Sequence, residues 1–289
     1  MGYTSLNIEY REKTVKKKRN EYKNILEPLS INLLNPSITL SDSDLKTYKQ
    51  ISVDIPRTLP DLKLFSDVKI QNIMLRILFI WAIKHQNIGY VQGFNDMCTP
   101  FIIVFLAQYI DLDMNNLNDY NEDNFKSMGT EELFEIEADS YWCFSSMMNK
   151  IQNNYSGNHT LLQEMVEKLE GIIKIIDPEI IEHFEKQDLK FMQFSFRWMN
   201  CFLMREFNLK IIIRIWDTYF SEDNAFNSFH VFVCAGLLLS FSEKIKGLEF
   251  QELIIFLQNL PTEEWKIEEM DVLLAKSYQI NILYGKLLK

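Results

Sequence analysis

At 289 residues, 47% hydrophobic and 24% charged, the chain is long enough for one large domain or two smaller ones and has a folded protein's balance. Its net charge of −10 argues against general nucleic-acid binding, since affinity for phosphate backbones comes from clustered Lys and Arg. Nine glycines and seven prolines are few for this length, and abundant Leu, Ile, Met, Glu and Lys point to a mainly helical chain.

The first predicted helix covers about 14–28 and carries Lys16-Lys17-Lys18-Arg19 ahead of Glu21, Tyr22, Ile25 and Leu26, which reads as a solvated basic face. A helix at about 42–51 leads into a proline-bracketed loop. Ile70, Ile73, Met74, Ile77 and Trp81 then share one helical face, with Lys69, Asn72, Arg76 and Lys84 largely on the other. Helices at about 97–110 and 131–153 flank a polar loop, Asp111 to Gly129, rich in Asn and Asp. A short break from Asn153 to His159 places a boundary near residues 150–160, between lobe 1 (about 1–155) and lobe 2 (about 156–289) of a single domain, 1–289.

Val166, Leu169, Ile172, Ile173 and Ile176 mark a helix that Asp177-Pro178 ends and the next begins. Phe191 to Phe207 is largely apolar and aromatic, with Gln193, Arg197 and Arg205 among its polar residues, and is expected as one central helix buried on several sides. Further helices fall at about 209–219, 228–244, 249–258 and 263–284. No segment alternates with period two between turn dipeptides, so an all-α fold is expected.

Cys98, Cys143, Cys201 and Cys234 have no CxxC spacing and sit among apolar neighbours, as buried free thiols in a reducing compartment do. His85, His159, His183 and His230 have no metal-ligand spacing, so no metal site is expected. No apolar run is long enough to span a membrane, and no apolar stretch of a signal peptide opens the chain. Met1-Gly2 is a weak match to a myristoylation start. The expectation is a soluble, cytoplasmic protein.

Two short islands stand out. In Ile51-Ser52-Val53-Asp54-Ile55-Pro56-Arg57, Pro56 and Pro60 bracket the arginine, and neither suits a helix interior. The segment is expected as a stiff loop anchored by Ile51, Val53 and Ile55 in period-two alternation, with Arg57 pointing away. Asp54 is placed to bond either the loop amides or the guanidinium. In Gly89-Tyr90-Val91-Gln92-Gly93, two glycines allow a sharp turn that presents Gln92, and Asn95 or Asp96 could cap the helix that follows. On spacing alone plainer readings remain open: a capped turn with a surface ion pair at Asp54 and Arg57, and a solvated Gln92 in an interhelical loop.

Together the islands resemble the IxxDxxR and YxQ motifs of the TBC-domain family of Rab GTPase-activating proteins, as Ile51-x-x-Asp54-x-x-Arg57 and Tyr90-x-Gln92. Phe196-Arg197-Trp198, Leu203-Met204-Arg205-Glu206-Phe207 and Arg214-Ile215-Trp216-Asp217 are similar too, and the resemblance runs from roughly residue 17 to residue 275. Leu78-Phe79-Ile80-Trp81-Ala82-Ile83, Ile136 to Cys143 and Phe256 to Thr262 resemble the family's Golgi-linked subgroup.

The resemblance implies a two-lobed, all-helical fold with a groove for the GTPase. By it, Arg57 is the arginine finger and Gln92 the glutamine finger that orients the attacking water; Asp54 braces Arg57, with Tyr90, Gly93, Asn95 and Asp96 in support. The implied partner is a GTP-bound Rab, reached by peripheral recruitment to Golgi or other endomembranes. GTP and magnesium belong to that partner, so the chain has no cofactor of its own and acts by completing another protein's active site. Arg197, Trp198, Arg205, Trp216 and Asp217 match family positions and are expected in a structural network of the second lobe. One departure is visible: the family's opening helix, with an arginine and a tryptophan, has no counterpart before residue 17, so a trimmed chain or a lost first helix is expected. The other readings are a helical Rab-binding scaffold that does not accelerate hydrolysis, and an unrelated Asp/His hydrolase, for which no nucleophile–base constellation exists.

Overall fold

The computed structural model describes the chain apart from residues 1–3, 6, 35, 158–159 and 287–289, and apart from the side chains of residues 30–32, 34 and 160. Met1-Gly2 and His159 therefore lie outside the described residues. The chain folds as two compact units, Met1–Gln152 and Asn153–Lys289.

Five longer helices build the first unit: α1 (Arg11–Leu34), α2 (Asp42–Asp54), α3 (Val68–Lys84), α4 (Phe94–Leu106) and α5 (Thr130–Ile151). Local chemistry explains their starts. The Ser41 hydroxyl caps α2 by accepting the Asp44 amide, and the Asp67 carboxylate caps α3 by accepting the Lys69 amide. The predicted face of α3, from Ile70 to Trp81, is buried, and Leu78, Phe79, Ile80 and Ala82 are buried as well. Each such Ile, Leu or Phe contributes about 1.5–3 kcal/mol over an exposed one. Helix α5 packs against α1, α3 and α4 and forms the spine of this unit.

Buried charge ties that spine to its neighbours. Arg76 of α3 grips Glu137 of α5 through two hydrogen bonds of 2.8 and 2.6 Å, and the Tyr22 hydroxyl donates to the same carboxylate at 2.6 Å. Arg19 pairs with Asp139 at 3.0 and 2.7 Å and also with Glu135. The basic run is thus not a uniform solvated face. Lys16 and Lys17 are exposed and pair along the helix with Glu12 and Glu21, whereas Arg19 turns inward to meet the acidic side of α5.

In the second unit lie α6 (Thr160–Ile176), α7 (Pro178–Lys186), α8 (Met192–Cys201), α9 (Leu209–Ser221), α10 (Phe229–Ser240), α11 (Phe250–Gln258) and α12 (Ile267–Tyr284). The expected helix over Phe191 to Phe207 stops at Cys201, because Phe202 and Leu203 adopt left-handed φ of 50° and 64°. Both side chains stay buried while the backbone turns back, and this brings Glu206 onto Arg197 at 2.8 and 3.0 Å. The enclosed element is instead α10, buried from Phe229 to Leu238 and packed against α6 and α12.

The structural network expected here is partly as predicted. Trp198 and Trp216 are buried and Arg197 also donates to the Gln258 carbonyl at 2.7 Å, while Arg205 and Asp217 are exposed and interact through their charges with Glu206 and Arg214 respectively. Burial lowers His230 to about 3, so it is neutral, accepting from Tyr219 at 2.9 Å and donating to the Trp198 carbonyl at 3.1 Å.

Among the described residues the only β-pairing is an isolated bridge, Leu112 to Tyr120. It lies in the polar loop, which also holds a short helix, Glu122–Ser127, capped by Asn121. All four cysteines are buried, and none of them is in a disulfide. Among the described residues no helix is long and apolar enough to cross a membrane, and no group of three or more His, Cys, Asp and Glu is placed to hold a metal.

Candidate functional site

The arginine island is more helical than the sequence suggests. Helix α2 continues to Asp54 and passes into a 3-10 turn, Ile55–Arg57, with Pro56 at a position where the missing N–H costs nothing. Helical rather than period-two geometry makes Ile51 and Ile55 the buried anchors and leaves Val53 about half exposed, so Val53 does not anchor the loop as expected. Arg57 ends the turn with its side chain in solvent and no hydrogen bond or ion pair among the described residues. Leu59 then takes a φ of 44°, rare for a residue with a Cβ, and the chain turns away.

The glutamine island follows α3. His85 accepts the Ile88 and Gly89 amides at 2.9 and 2.8 Å through its carbonyl, and Gly89 takes a φ of 68°. Gly93 then adopts a φ of 105°, a conformation that excludes a Cβ, and opens α4. Between the two glycines Tyr90 points inward, edge-on to Phe94 with ring centroids 6.1 Å apart, and Gln92 points outward.

A closed polar circuit joins the islands. The Tyr90 hydroxyl lies 2.9 Å from Asp54 Oδ2 and 3.1 Å from Asn95 Oδ1, and its one proton is shared between them. Asn95 Oδ1 also accepts the Gly93 amide at 3.0 Å, while Asn95 Nδ2 donates to Thr58 Oγ1 at 2.8 Å and to Asp96 Oδ1 at 3.1 Å. Thr58 Oγ1 in turn donates to the Asp54 carbonyl at 3.1 Å. Burial, and after it the Asp54 charge, pushes the Tyr90 phenol far up, so it remains a donor. Every member of the circuit is buried.

The expected direct brace of Arg57 by Asp54 is therefore absent, because the carboxylate is committed to Tyr90. Asn95 and Asp96 do not cap α4 from outside but lie in its first turn, where Asn95 links the islands. Thr58 is the participant that sequence reading missed; its position beside Arg57 was the only available signal. The polar loop holds the arginine segment from its other flank. Asn118 donates to the Asp61 carbonyl and accepts the Lys63 amide, both at 2.9 Å.

Helices without a sheet, carrying IxxDxxR and YxQ segments on one buried hydrogen-bonded base, define an all-α protein of the TBC class. The chain belongs to the Rab-GTPase-TBC domain family, whose pattern it matches over residues 7–246. It is 42% identical over 285 residues to TBC1 domain family member 22B of Homo sapiens, covering 98% of this chain and 54% of that protein. It is 32% identical over 348 residues to GTPase-activating protein GYP1 of Saccharomyces cerevisiae, covering 98% and 53%. The chain thus spans about half the length of the curated relatives it matches. The crystal structure of the Ypt/Rab-GAP domain of Gyp1p superposes with a TM-score of 0.88 at 38% identity, over 98% of this chain and 85% of that one. The TBC domain of a Chlamydomonas flagellar RabGAP, at 18% identity and a TM-score of 0.60 over 80% of this chain and 67% of that one, shares the fold.

Proposed function

We propose that this chain accelerates GTP hydrolysis by a GTP-bound Rab GTPase, with Arg57 as the arginine finger and Gln92 as the glutamine finger. The observation that carries the reading is the circuit through Asp54, Tyr90, Asn95 and Thr58, which roots both islands in one buried base while Arg57 stays exposed and unpaired. An unpaired guanidinium on a preorganised turn is free to meet charge as it spreads over the transferring γ-phosphoryl oxygens. Such a group supplied in trans accelerates hydrolysis by about 10³–10⁵-fold, or roughly 4–7 kcal/mol of barrier. A glutamine amide, with both donor and acceptor, suits the task of orienting the attacking water. GTP and magnesium come with the partner, and the chain completes that partner's active site. It works in the cytoplasm, recruited peripherally to Golgi or other endomembranes, as the likeness to the Golgi-linked subgroup suggests.

The test is single-turnover GTP hydrolysis by a panel of Rab proteins with wild type, Arg57→Ala and Gln92→Ala. Stimulation lost in both variants is expected. A folded wild-type chain that binds a Rab and stimulates none would replace this reading with that of a scaffold.

A further inference from the structure

We propose that the hydrogen bond from Asn95 Nδ2 to Thr58 Oγ1 makes the arginine and glutamine loops one mechanical unit, with Thr58 and Asn95 as positioning residues for Arg57 and Gln92. The assignment of what is positioned rests on the two-finger reading above. The bond spans 37 residues of sequence at 2.8 Å. It joins the residue next to Arg57 to the first turn of α4, two residues beyond Gly93.

Proton bookkeeping makes the joint directional. The Thr58 hydroxyl gives its proton to the Asp54 carbonyl, so its oxygen is left as an acceptor facing Asn95. Asn95 donates one Nδ2 proton to that oxygen and the other to Asp96 Oδ1. Its oxygen faces the Gly93 amide and the Tyr90 hydroxyl. A flipped amide would set NH2 against the Gly93 N–H and oxygen against Asp96, so one orientation is permitted. Thr58 is 1% exposed and Asn95 4%, which leaves water little access to substitute for either partner.

The loop on the arginine side of the joint needs such support. Leu59, one residue past Thr58, and Gly93, two before Asn95, hold φ of 44° and 105°. At Leu59, which carries a Cβ, such backbone persists only where its surroundings over-determine it, whereas Gly93 adopts its φ because it has no Cβ. A displacement of Thr58 is thereby passed through Asn95 Oδ1 to the Gly93 amide, and so to the peptide that carries Gln92.

Thr58→Val keeps the volume and removes the hydroxyl, whereas Thr58→Ser keeps the hydroxyl. Amide hydrogen exchange at Gly93 and stimulated single-turnover hydrolysis are measured in both. In Thr58→Val, exchange at Gly93 is expected to rise at least tenfold, and the maximal stimulated rate to fall at least tenfold with half-saturating concentration within twofold of wild type. Thr58→Ser is expected near wild type in both. Unchanged Gly93 exchange in Thr58→Val overturns the linkage, and lost stability with an unchanged maximal rate overturns the positioning role.

Native-state exchange of the wild type needs no variant. The Thr58 amide, bonded to the Ile55 carbonyl at 3.0 Å, and the Gly93 amide are expected to open together with one denaturant slope. Separate openings overturn the linkage. If the wild type stimulates no Rab, the roles given to Arg57 and Gln92 fall, while Gly93 exchange still decides whether the loops are joined.

Discussion

Replacing Tyr90 with Phe isolates the charge-assisted bond at the centre of the circuit. The ring remains and keeps its edge-on contact with Phe94, so no cavity opens. What is lost is the phenolic donor 2.9 Å from Asp54 Oδ2. Asp54 is only 9% exposed, so little solvent can take the donor's place. A hydrogen bond to a charged group in such a setting contributes about 1.5–3 kcal/mol. We therefore expect a loss of about 2 kcal/mol from the unit Met1–Gln152, equivalent to roughly 4–8 °C in its melting temperature at that size.

Hydrogen exchange of the slowest amides of α3 and α5 reads this unit by itself. In an Asp54→Asn background the same Tyr90→Phe change is expected to cost at least about 1 kcal/mol less, since the charged acceptor has already gone. A single-variant loss below about 0.5 kcal/mol, the range of an ordinary surface change, would refute the reasoning.

Arg57→Ala makes the opposite separation, because its exposed side chain has no partner among the described residues: stability within about 0.5 kcal/mol of wild type by chemical denaturation, with stimulation abolished. Gly93→Ala forces a Cβ into a φ of 105° and is expected to cost about 1–3 kcal/mol and to lower the stimulated rate, measured by melting and single-turnover assay. Arg76→Met leaves Glu137 buried without its guanidinium, for a loss of about 3–5 kcal/mol by hydrogen exchange of α5. His230 supplies a pH signature, because burial depresses it to about 3 in the fold while it titrates near 6.5 when unfolded. Its contribution is present above pH 6.5 and lost as pH falls toward 3. The stability advantage of wild type over His230→Gln is expected to shrink by up to about 1.4 kcal/mol per pH unit across that window.

The helices were legible wherever one face alone carried the apolar residues. The five positions from Ile70 to Trp81 predicted α3 and its buried side, and Asp177-Pro178 marked the break between α6 and α7. Between Phe191 and Phe207, apolar residues on every side gave no phase, so the reversal at Phe202 and Leu203 was invisible; a left-handed pair without glycine is held by tertiary packing and by bonds such as that from Trp216 Nε1 to the Phe202 carbonyl at 3.3 Å. At Val53 the period was misjudged because α2 runs further toward Pro56 than a loop reading allowed. Arg19 looked like its lysine neighbours until Asp139 and Glu135, more than a hundred residues away, came beside it.

At the site, the motifs marked Asp54, Arg57, Tyr90 and Gln92 as residues to watch. They could not say that Asp54 would take the Tyr90 hydroxyl rather than the arginine, since a carboxylate's choice of donor depends on a loop 36 residues away. Thr58 carried no signal of its own.

The Asp111–Gly129 segment has a fixed lining and a free outer surface. Leu117 and Phe125 are buried and Asn118 is bonded to the chain at Asp61 and Lys63, while Asp113, Asp119 and Asp123 face water. Sequence drift, or a designed library, can therefore rewrite the outer carboxylates and change the surface charge flanking the arginine segment without moving it. Drift at Asn118 would alter the arginine loop itself, so one residue marks where the polar loop can vary independently of the arginine segment and where it cannot.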